Sequence, residues 1–326
     1  EKEILRQAAS VFKTGEATEN GGKYALESLE KAAQDLAEGK IDVLVTAPIS
    51  KDAMSKAGFK FPGHTEFLAD MAGQEEALML MVSPSLRVGL VTCHISLKDV
   101  TAAVTIDKVK SKLDAFNTSL KKDFGIRKPK IAVLGLNPHA GENGKMGAEE
   151  KEVIAPAIAQ ANQAGIMTFG PYPADGFFGS SARNQFDGVL AMYHDQGLAA
   201  FKALSFDEGV NFTAGLPIVR TSPDHGTAFD IAGKNLASGD SMRNAIYLAI
   251  DVFRNHQFEK EINENPLVIK PVEERPKGKK RLLKVSLNSK LHNLSLLFNL
   301  PQTFHFLVRK ESFDILKMFF HTFIPK

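Results

Sequence analysis

Short, continuous apolar runs alternate with longer segments of helical periodicity along most of this chain, and this alternation constrains the fold more than any other feature. Five apolar runs predict strands at 42–46, 77–82, 87–93, 130–136 and 187–193. Helical periodicity predicts helices at 24–37, 109–121, 149–164 and 242–255. Strands that are apolar on both sides must be covered on both faces of their sheet, so the pattern predicts an α/β fold.

The charge of the chain changes abruptly near residue 270. Residues 1–270 contain 29 Lys and Arg against 34 Asp and Glu, whereas residues 271–326 contain 11 against 4. The second segment also holds 7 of the 23 Phe residues but only one of the 25 Gly residues. We therefore predict a functional body at 1–270 and a basic, Phe- and Leu-rich tail at 271–326 that is not part of the fold.

The composition disfavours two classes of function. The basic cluster at 277–284 is typical of a nucleic-acid patch, but a solvated linker explains it better, so we expect no nucleic-acid partner. No apolar run approaches the roughly 20 residues that a membrane-spanning helix needs, so we expect no membrane segment. Cys93 is the single cysteine, which suits a reducing cytoplasm.

Three histidines share one position relative to the predicted strands. His94 and His194 directly follow two of the strands, and His139 lies three residues beyond a third. The carboxyl ends of strands in an open α/β sheet form the edge where ligands bind. Neutral imidazoles at that edge could share one divalent cation. Separate structural roles for the three rings remain an open alternative.

Polar residues near the same edge suggest an anion site. Residues 63–66 (GHTE) open a predicted helix whose N–H groups favour an anion, although a simple Thr cap explains them equally well. Lys202, Asn211 and Arg220 could together hold phosphate or carboxylate oxygens, although each alone is typical of a surface side chain. Asp175 is explained by a turn. Because no GxGxxG follows a first strand, these residues alone permit a metal hydrolase as readily as a dehydrogenase.

Four motifs carry a resemblance to a known enzyme family. They are GHTEF (63–67), LNPHAGENG (136–144), MYHDQG (192–197) and RTSPDHGTAFDIAGK (220–234). Together, within about residues 42–255, they resemble the 4-hydroxythreonine-4-phosphate dehydrogenase family of vitamin B6 biosynthesis. The last motif is also similar to the HGSAPDIAG loop of isocitrate and isopropylmalate dehydrogenases. That similarity implies their fold, with two α/β subdomains flanking a cleft, and a dinucleotide site that lacks the glycine fingerprint.

The resemblance implies a role for each candidate residue. It implies that one divalent cation, which is zinc, magnesium or cobalt, is bound by His94, His139 and His194. It implies substrate contacts from His64, Thr65, Lys202, Asn211 and Arg220, a catalytic role for Asp175, and contacts to NAD or NADP from His225, Gly226 and Asp230. It also implies a homodimer with its active site at the subunit interface, where the partner subunit supplies one metal ligand.

The implied reaction is the oxidation and decarboxylation of a small phosphorylated hydroxy-amino acid. The substrate is 4-phosphohydroxy-L-threonine, the product is 3-amino-2-oxopropyl phosphate, and both NAD and the metal ion take part. Three alternatives remain open. They are a related dehydrogenase of a phosphorylated threonate or a cis-dihydrodiol carboxylate, a metal-dependent hydrolase, and an inactive remnant that binds metal only.

The family pattern also begins with a strand and a GDPAGIGPE-like loop. This chain begins downstream of both, so we expect part of the cleft wall to be missing from the two interleaved subdomains of the body.

Overall fold

The strand segments of the chain pair into one mixed sheet of eight strands. The computed structural model describes residues 13–74, 77–205 and 208–266, so the predicted tail at 271–326 lies outside the described residues. In chain order the strands are β1 (Val43–Val45), β2 (Leu78–Val82), β3 (Arg87–Leu90), β4 (Lys130–Leu134), β5 (Met167–Tyr172), β6 (Gly188–Ala191), β7 (Val210–Ala214) and β8 (Val219–Pro223). Their spatial order is β1-β8-β7-β2-β3-β6-β4-β5.

Strand directions give the sheet one edge at which five strands end. The neighbours β3, β6, β4 and β5 are parallel, and β1 pairs in parallel with β8. Strand β2 is antiparallel to β3 and to β7, and β7 is antiparallel to β8. The carboxyl ends of β3 to β7 therefore lie at one edge, here called the carboxyl edge, together with the amino end of β8.

Helices connect the strands and cover the sheet. They are α1 (Glu19–Ala37), α2 (Lys51–Lys56), α3 (His64–Met71), α4 (Leu97–Ala103), α5 (Ile106–Lys122), α6 (Ala155–Gln163), α7 (Ala174–Phe178), α8 (His194–Ser205) and α9 (Asp240–Glu264). Two of them begin at a threonine cap, because Thr18 and Thr105 each accept a hydrogen bond from the backbone N–H three residues ahead. None of the helices in the described ranges is long and apolar enough to cross a membrane.

Apolar cores lie on both faces of the sheet. Helices α5, α6 and α9 cover one face, where Phe116 and Ile131 are fully buried. Helix α8 covers the other face with Phe201, and α7 adds Phe177 beside it. Each such side chain contributes about 1.5–3 kcal/mol of burial free energy. The predicted α/β class is therefore confirmed.

The predicted elements are all present, but several of their limits differ. The helix predicted at 149–164 is divided into a π-helical turn, Glu150–Ile154, and α6. Pro156 lies in the first turn of α6, and because it lacks a backbone N–H it interrupts the helical hydrogen bonds. The helix predicted at 242–255 continues to Glu264.

Sequence patterns missed three strands, β5, β7 and β8. Strand β5 contains Gly170 and Pro171, which weaken a strand signal. Strands β7 and β8 carry polar residues, among them Asn211 and Arg220, and therefore lack a continuous apolar run. The eight strands form one continuous sheet, and the division of the body into two interleaved subdomains stays a prediction.

Candidate active site

Arg220 is buried near the carboxyl edge, with 3% of the residue exposed, although it carries a full charge. It lies on β8 between β1 and β7, and its guanidinium donates to a threonine from each side. Nε and Nη2 donate to Oγ1 of Thr46 at 3.1 and 2.7 Å, and Nη1 donates to Oγ1 of Thr213 at 3.3 Å. Both acceptors are neutral hydroxyls, so they orient the guanidinium without cancelling its charge.

The guanidinium of Arg220 also determines which ring nitrogen of His64, the first residue of α3, carries the proton. Nη2 of Arg220 lies 3.1 Å from Nδ1 of His64. A guanidinium only donates hydrogen bonds, so Nδ1 accepts and the proton of the neutral ring is on Nε2. Burial, together with the charge of Arg220, lowers the pKa of His64 to about 4. His64 is therefore neutral at physiological pH and offers Nε2–H as a donor. We call Thr46, His64, Thr213 and Arg220 the Arg220 pocket.

The charge of the Arg220 pocket has no partner of opposite sign at hydrogen-bond distance. Burial lowers the pKa of Arg220 to about 10, which leaves it protonated, and its hydrogen-bond partners among the described residues are all uncharged. A buried cation with neutral partners favours a bound anion. Asn211 lies two residues before Thr213 on β7 and therefore on the same face of the sheet. Its Oδ1 is buried and has no hydrogen-bond partner among the described residues.

A second cation, Lys202, lies on α8 two turns after His194. Its Nζ is 3.3 Å from Oδ1 of Asp224, a carboxylate whose side chain is 10% exposed while that of Lys202 is 42% exposed. Burial raises the pKa of Asp224, and the charges of Lys202, His225 and His194 oppose that rise. Asp224 thus connects α8 electrostatically with the loop that follows β8.

Two of the three histidines lie next to each other. His94 follows β3 and His194 begins α8 after β6, and these two strands are parallel neighbours. The ring centroids are 6.0 Å apart. Each ring has a carboxylate at Nδ1, since Oε1 of Glu66 lies 3.0 Å from Nδ1 of His94 and Oδ1 of Asp195 lies 2.7 Å from Nδ1 of His194. A ring that donates from Nδ1 keeps its Nε2 lone pair for a metal ion, so the two rings fit a metal site.

His139 lies at the same edge but on a separate loop. This loop follows β4, contains the 3₁₀ segment Pro138–Gly144, and packs against α7, which carries the exposed Asp175. Residues 139–143 all have φ between 40 and 77°, which non-glycine residues rarely adopt. Among the described residues of one chain, no three His, Cys, Asp or Glu side chains are grouped so that they could hold a metal ion. We call His94, His139 and His194 the histidine edge.

Two side chains, Glu150 and Gln196, hold the loops of the histidine edge through part-buried hydrogen bonds. Oε1 of Glu150, which is 5% exposed, accepts from the backbone N–H of Asn137 at 2.7 Å, at the start of the His139 loop. Nε2 of Gln196 donates to the carbonyl of Gly135 at 2.6 Å, while its Oε1 accepts from the N–H of Met192 at 2.7 Å. Gln196 therefore joins the loops after β4 and β6 beside His194.

A cavity of about 890 Å³ lies between the amino end of α1 and the loop after β8. Residues 13–18 form part of its wall, and His225 and Gly226 line another part, whereas Asp230 does not line it. Its volume falls in the range of small-molecule and cofactor sites. Gly22 allows α1 to approach α2 next to this cavity, because a Cβ there would lie 2.1 Å from the carbonyl oxygen of Ala53.

Comparison with known proteins assigns the chain to a family. The profile of the family described as pyridoxal phosphate biosynthetic protein PdxA matches residues 2–249. A 4-hydroxythreonine-4-phosphate dehydrogenase of Bacteroides thetaiotaomicron is 55% identical over 247 residues, which are 76% of this chain and 68% of that protein. The chain belongs to the PdxA family. The resemblance identified from the four sequence motifs is thereby confirmed.

Solved structures agree with the PdxA assignment. The crystal structure of 4-hydroxythreonine-4-phosphate dehydrogenase from Klebsiella pneumoniae is 38% identical, with a TM-score of 0.66 and 74% of each chain covered. The enzyme of the same name from Burkholderia phymatum is 43% identical, with a TM-score of 0.61, covering 73% of this chain and 72% of that one. These PdxA relatives are dehydrogenases, which are oxidoreductases, and the family serves pyridoxal phosphate biosynthesis.

The PdxA structure brings some of the sequence-predicted site residues together and leaves others apart. His64 and Arg220 are in contact, and His94 and His194 are adjacent. Thr65 lines a second cavity, of about 460 Å³, together with His94. His139 and Asp175 lie apart from this group on the neighbouring loop and helix.

Sequence reasoning assigned no individual role to four polar residues that shape the site. Thr46 and Thr213 hold Arg220, Glu66 holds His94, and Gln196 joins two loops. A signal existed for Thr46, which ends the predicted strand at 42–46 and therefore lies where that strand meets its loop. No local signal pairs Glu66 with His94, because they are 28 residues apart on different elements.

Proposed function

We propose that this chain catalyses the NAD-dependent, divalent-metal-dependent oxidation and decarboxylation of 4-phosphohydroxy-L-threonine. Substrate and NAD⁺ become 3-amino-2-oxopropyl phosphate, CO₂ and NADH. The observation that carries this proposal is a buried Arg220, whose hydrogen-bond partners are all neutral, at the same sheet edge as two histidines held by carboxylates. An anionic substrate and a divalent cation are the two ligands that such a site binds best.

The Arg220 pocket would bind one anionic group of the substrate. Arg220 supplies the fixed charge and His64 donates from Nε2. Asn211 on β7 and Thr65, which follows His64, would add further polar contacts. Lys202 supplies a second positive charge for the remaining anionic group of the substrate, which carries both a phosphate and a carboxylate. The two charges thereby set the orientation of the hydroxyl carbon between them.

The histidine edge would hold the cation through His94, His139 and His194. Imidazole ligands favour zinc over magnesium. When bound, the cation lowers the pKa of the substrate hydroxyl and stabilises negative charge on that oxygen. Asp175 removes the hydroxyl proton, either directly or through one water. Decarboxylation follows because the oxidised carbon is a ketone β to the carboxylate, so the electron pair released with CO₂ is delocalised onto the ketone oxygen.

NAD or NADP would occupy the cavity beside α1. His225 and Gly226 line it, and Asp230 lies four residues further along the same loop. Charged side chains of both signs, Glu16 and Lys13, lie on the α1 side of the cavity and leave the choice between NAD and NADP open.

We propose a homodimer in which the histidine edge of one subunit is completed by the other. Two observations support it: no three potential metal ligands are grouped among the described residues of one chain, and apolar side chains near these histidines are exposed. Ile95 is 44%, Leu97 70% and Met146 45% exposed. A mixture of the His139→Ala and His194→Ala variants tests this arrangement. Recovery of activity in the mixture is expected, and two inactive proteins that stay inactive when mixed contradict it.

A cytoplasmic location and the absence of a nucleic-acid partner belong to the same proposal. The single cysteine supports the cytoplasmic location. The small phosphorylated substrate supports the absence of a nucleic-acid partner.

The proposal is tested by NADH formation, followed by absorbance, with the full chain, NAD, 4-phosphohydroxy-L-threonine and a divalent cation. We expect turnover that a chelator removes and that His194→Ala abolishes. A folded protein that forms no NADH contradicts the proposal, and turnover without NAD would indicate the metal-dependent hydrolase instead.

A related dehydrogenase of a carboxylate dihydrodiol is the second candidate. A terephthalate 1,2-cis-dihydrodiol dehydrogenase from Burkholderia xenovorans is 28% identical with a TM-score of 0.55, covering 74% of this chain and 77% of that one. A substrate panel separates the two, because only the first substrate carries a phosphate for the two cations Arg220 and Lys202.

A further inference from the structure

Glu66 is a half-buried carboxylate that the proposed reaction leaves without a role. It lies in the first turn of α3, two residues after His64, and its Oε1 is 3.0 Å from Nδ1 of His94. Its Oε2 is buried and has no hydrogen-bond partner among the described residues. The side chains of Glu66 and His94 are 34% and 40% exposed, so the contact lies at the border between core and solvent.

A glutamate at this helix position commonly serves as part of a cap. In a capping box the side chain of the third helical residue returns to the backbone N–H of the cap residue. Here the cap residue is Gly63, which supplies no side-chain cap, and Oε1 of Glu66 instead reaches a different element. Oε2 lies 3.2 Å from where a Cβ of Gly63 would be, so the glycine leaves room for this rotamer. The carboxylate oxygen Oε1 is therefore directed at His94 on a different element.

The contact decides which nitrogen of His94 is available. A carboxylate only accepts hydrogen bonds, so a neutral ring beside it places its proton on Nδ1 and leaves the lone pair on Nε2. The adjacent His194 has the same arrangement, with Asp195 at its Nδ1 at 2.7 Å. Two neighbouring rings with Nδ1 held in this way direct both free nitrogens to the role of metal ligands.

We infer that Glu66 is a positioning residue of the metal site, whose Oε1 accepts a hydrogen bond from Nδ1–H of His94 and so fixes the ring with Nε2 free for the cation. Because α3 also carries His64, the same short helix holds one side of the Arg220 pocket and one ligand of the histidine edge. The inference rests on the proposed function, since it takes His94 as a metal ligand.

The first test is the tautomer of His94 in the full chain without metal, at about pH 8, above the ordinary histidine pKa of about 6.5. Nitrogen-15 NMR distinguishes a protonated Nδ1 from a protonated Nε2, and His94→Ala assigns the signal. We expect a protonated Nδ1 in the wild type and in Glu66→Gln, whose amide oxygen still accepts, and a shift towards Nε2 protonation in Glu66→Ala. Protonation of Nε2 in the wild type overturns the inference, and this outcome does not depend on whether the Glu66 variants fold.

The second test is a titration with Co²⁺ alone. We expect the dissociation constant to rise by about 10–100-fold in Glu66→Ala and less in Glu66→Gln, as for other outer-sphere partners of metal-binding histidines. Asp70→Asn is the matched control, because Asp70 is an exposed carboxylate one turn further along α3, and its dissociation constant should stay unchanged.

The Co²⁺ titration distinguishes failure of the inference about Glu66 from failure of the proposed metal site. If Co²⁺ binds weakly in His94→Ala but normally in Glu66→Ala, the role of Glu66 is wrong and the metal site stands. If His94→Ala binds Co²⁺ as the wild type does, the proposed metal site is itself wrong, and the inference about Glu66 falls with it.

Discussion

The Arg220 pocket and the histidine edge are adjacent but physically unlike. The Arg220 pocket is buried, and its groups come from strands β1, β7 and β8 and the start of α3, all joined by hydrogen bonds to neutral partners. The histidine edge is exposed, and each ring follows a different strand. Two of its rings are held by carboxylates, while the third lies on a loop of positive φ angles.

This difference indicates how each region reaches its working state. The pairing of neighbouring strands fixes the Arg220 pocket within one chain, so that it is organised before a ligand arrives. Holding a buried charge among neutral hydrogen-bond partners costs stability, which an anion then restores on binding. The histidine edge is organised only in part within one chain, and it needs a cation and, on our proposal, a second subunit.

The largest expected effect is on His194→Ala, which should lose activity but not stability. His194→Ala should lower kcat/KM by more than the roughly 100-fold that loss of an outer-sphere partner causes, because it removes a metal ligand outright. Its free energy of unfolding should change little, since the ring is 37% exposed. His256→Ala is the control, because its Nε2 pairs with the buried Asp123 at 2.6 Å far along α9. That variant should lose stability and keep its Co²⁺ affinity. Calorimetric titration and urea unfolding measure both quantities. Loss of stability with unchanged Co²⁺ affinity in His194→Ala, or loss of Co²⁺ affinity with unchanged stability in His256→Ala, would contradict the comparison.

The next effect concerns the Arg220 pocket. Arg220→Met should lower kcat/KM by about 10–100-fold, as expected for losing a hydrogen-bonded charge worth about 1.5–3 kcal/mol. The melting temperature without ligand should stay equal or rise, because a buried charge with only neutral hydrogen-bond partners is removed. Arg87→Met is the matched control, since Arg87 is a half-buried guanidinium that packs over Phe124 at 4.7 Å. That variant should lose stability and keep its KM.

The third effect follows from the pKa of His64, which the fold lowers from 6.5 to about 4. Between these values the unfolded chain binds a proton that the folded chain does not, so this contribution to stability falls as the pH falls from 6.5 towards 4. At about pH 5 the loss should be roughly 1–2 kcal/mol. Urea unfolding of the wild type and of His64→Gln at several pH values measures it. Parallel curves for the two proteins would show that His64 is not held neutral.

The smallest effect sharpens the description of the His139 loop. Glu150→Gln keeps the shape of the side chain but weakens its hydrogen bond with the N–H of Asn137. We expect faster hydrogen exchange at 138–144 and a loss of Co²⁺ affinity below about tenfold, because Glu150 acts on His139 only through the loop. Unchanged exchange in this segment would show that the loop keeps its conformation without the charge.

Sequence reasoning reached the histidine edge more easily than the Arg220 pocket. The histidines each follow an apolar run, so strand prediction alone placed His94, His139 and His194 at one edge of a sheet. It could not foresee that only two of the rings are adjacent in one chain, because loop conformation decides this and the run of positive φ has no simple sequence signature.

The Arg220 pocket depends on strand pairing that local patterns do not encode. Thr46 and Arg220 are 174 residues apart and meet because β1 pairs with β8. Strand β8 itself escaped prediction, since the polar residues that serve the site interrupt its apolar run. The polar residues of the site therefore obscured the strand pattern. The family motif RTSPDHGTAFDIAGK indicated instead that this segment belongs to the site.

The central claim is that the Arg220 pocket and the histidine edge bind one substrate together. Calorimetric titration of 4-phosphohydroxy-L-threonine into the full chain, with and without Co²⁺, tests it most directly. If both regions contact the same molecule, the cation must tighten substrate binding, and the substrate must tighten cation binding by the same factor. Equal substrate affinity with and without the cation, in a protein that binds both, would contradict the account.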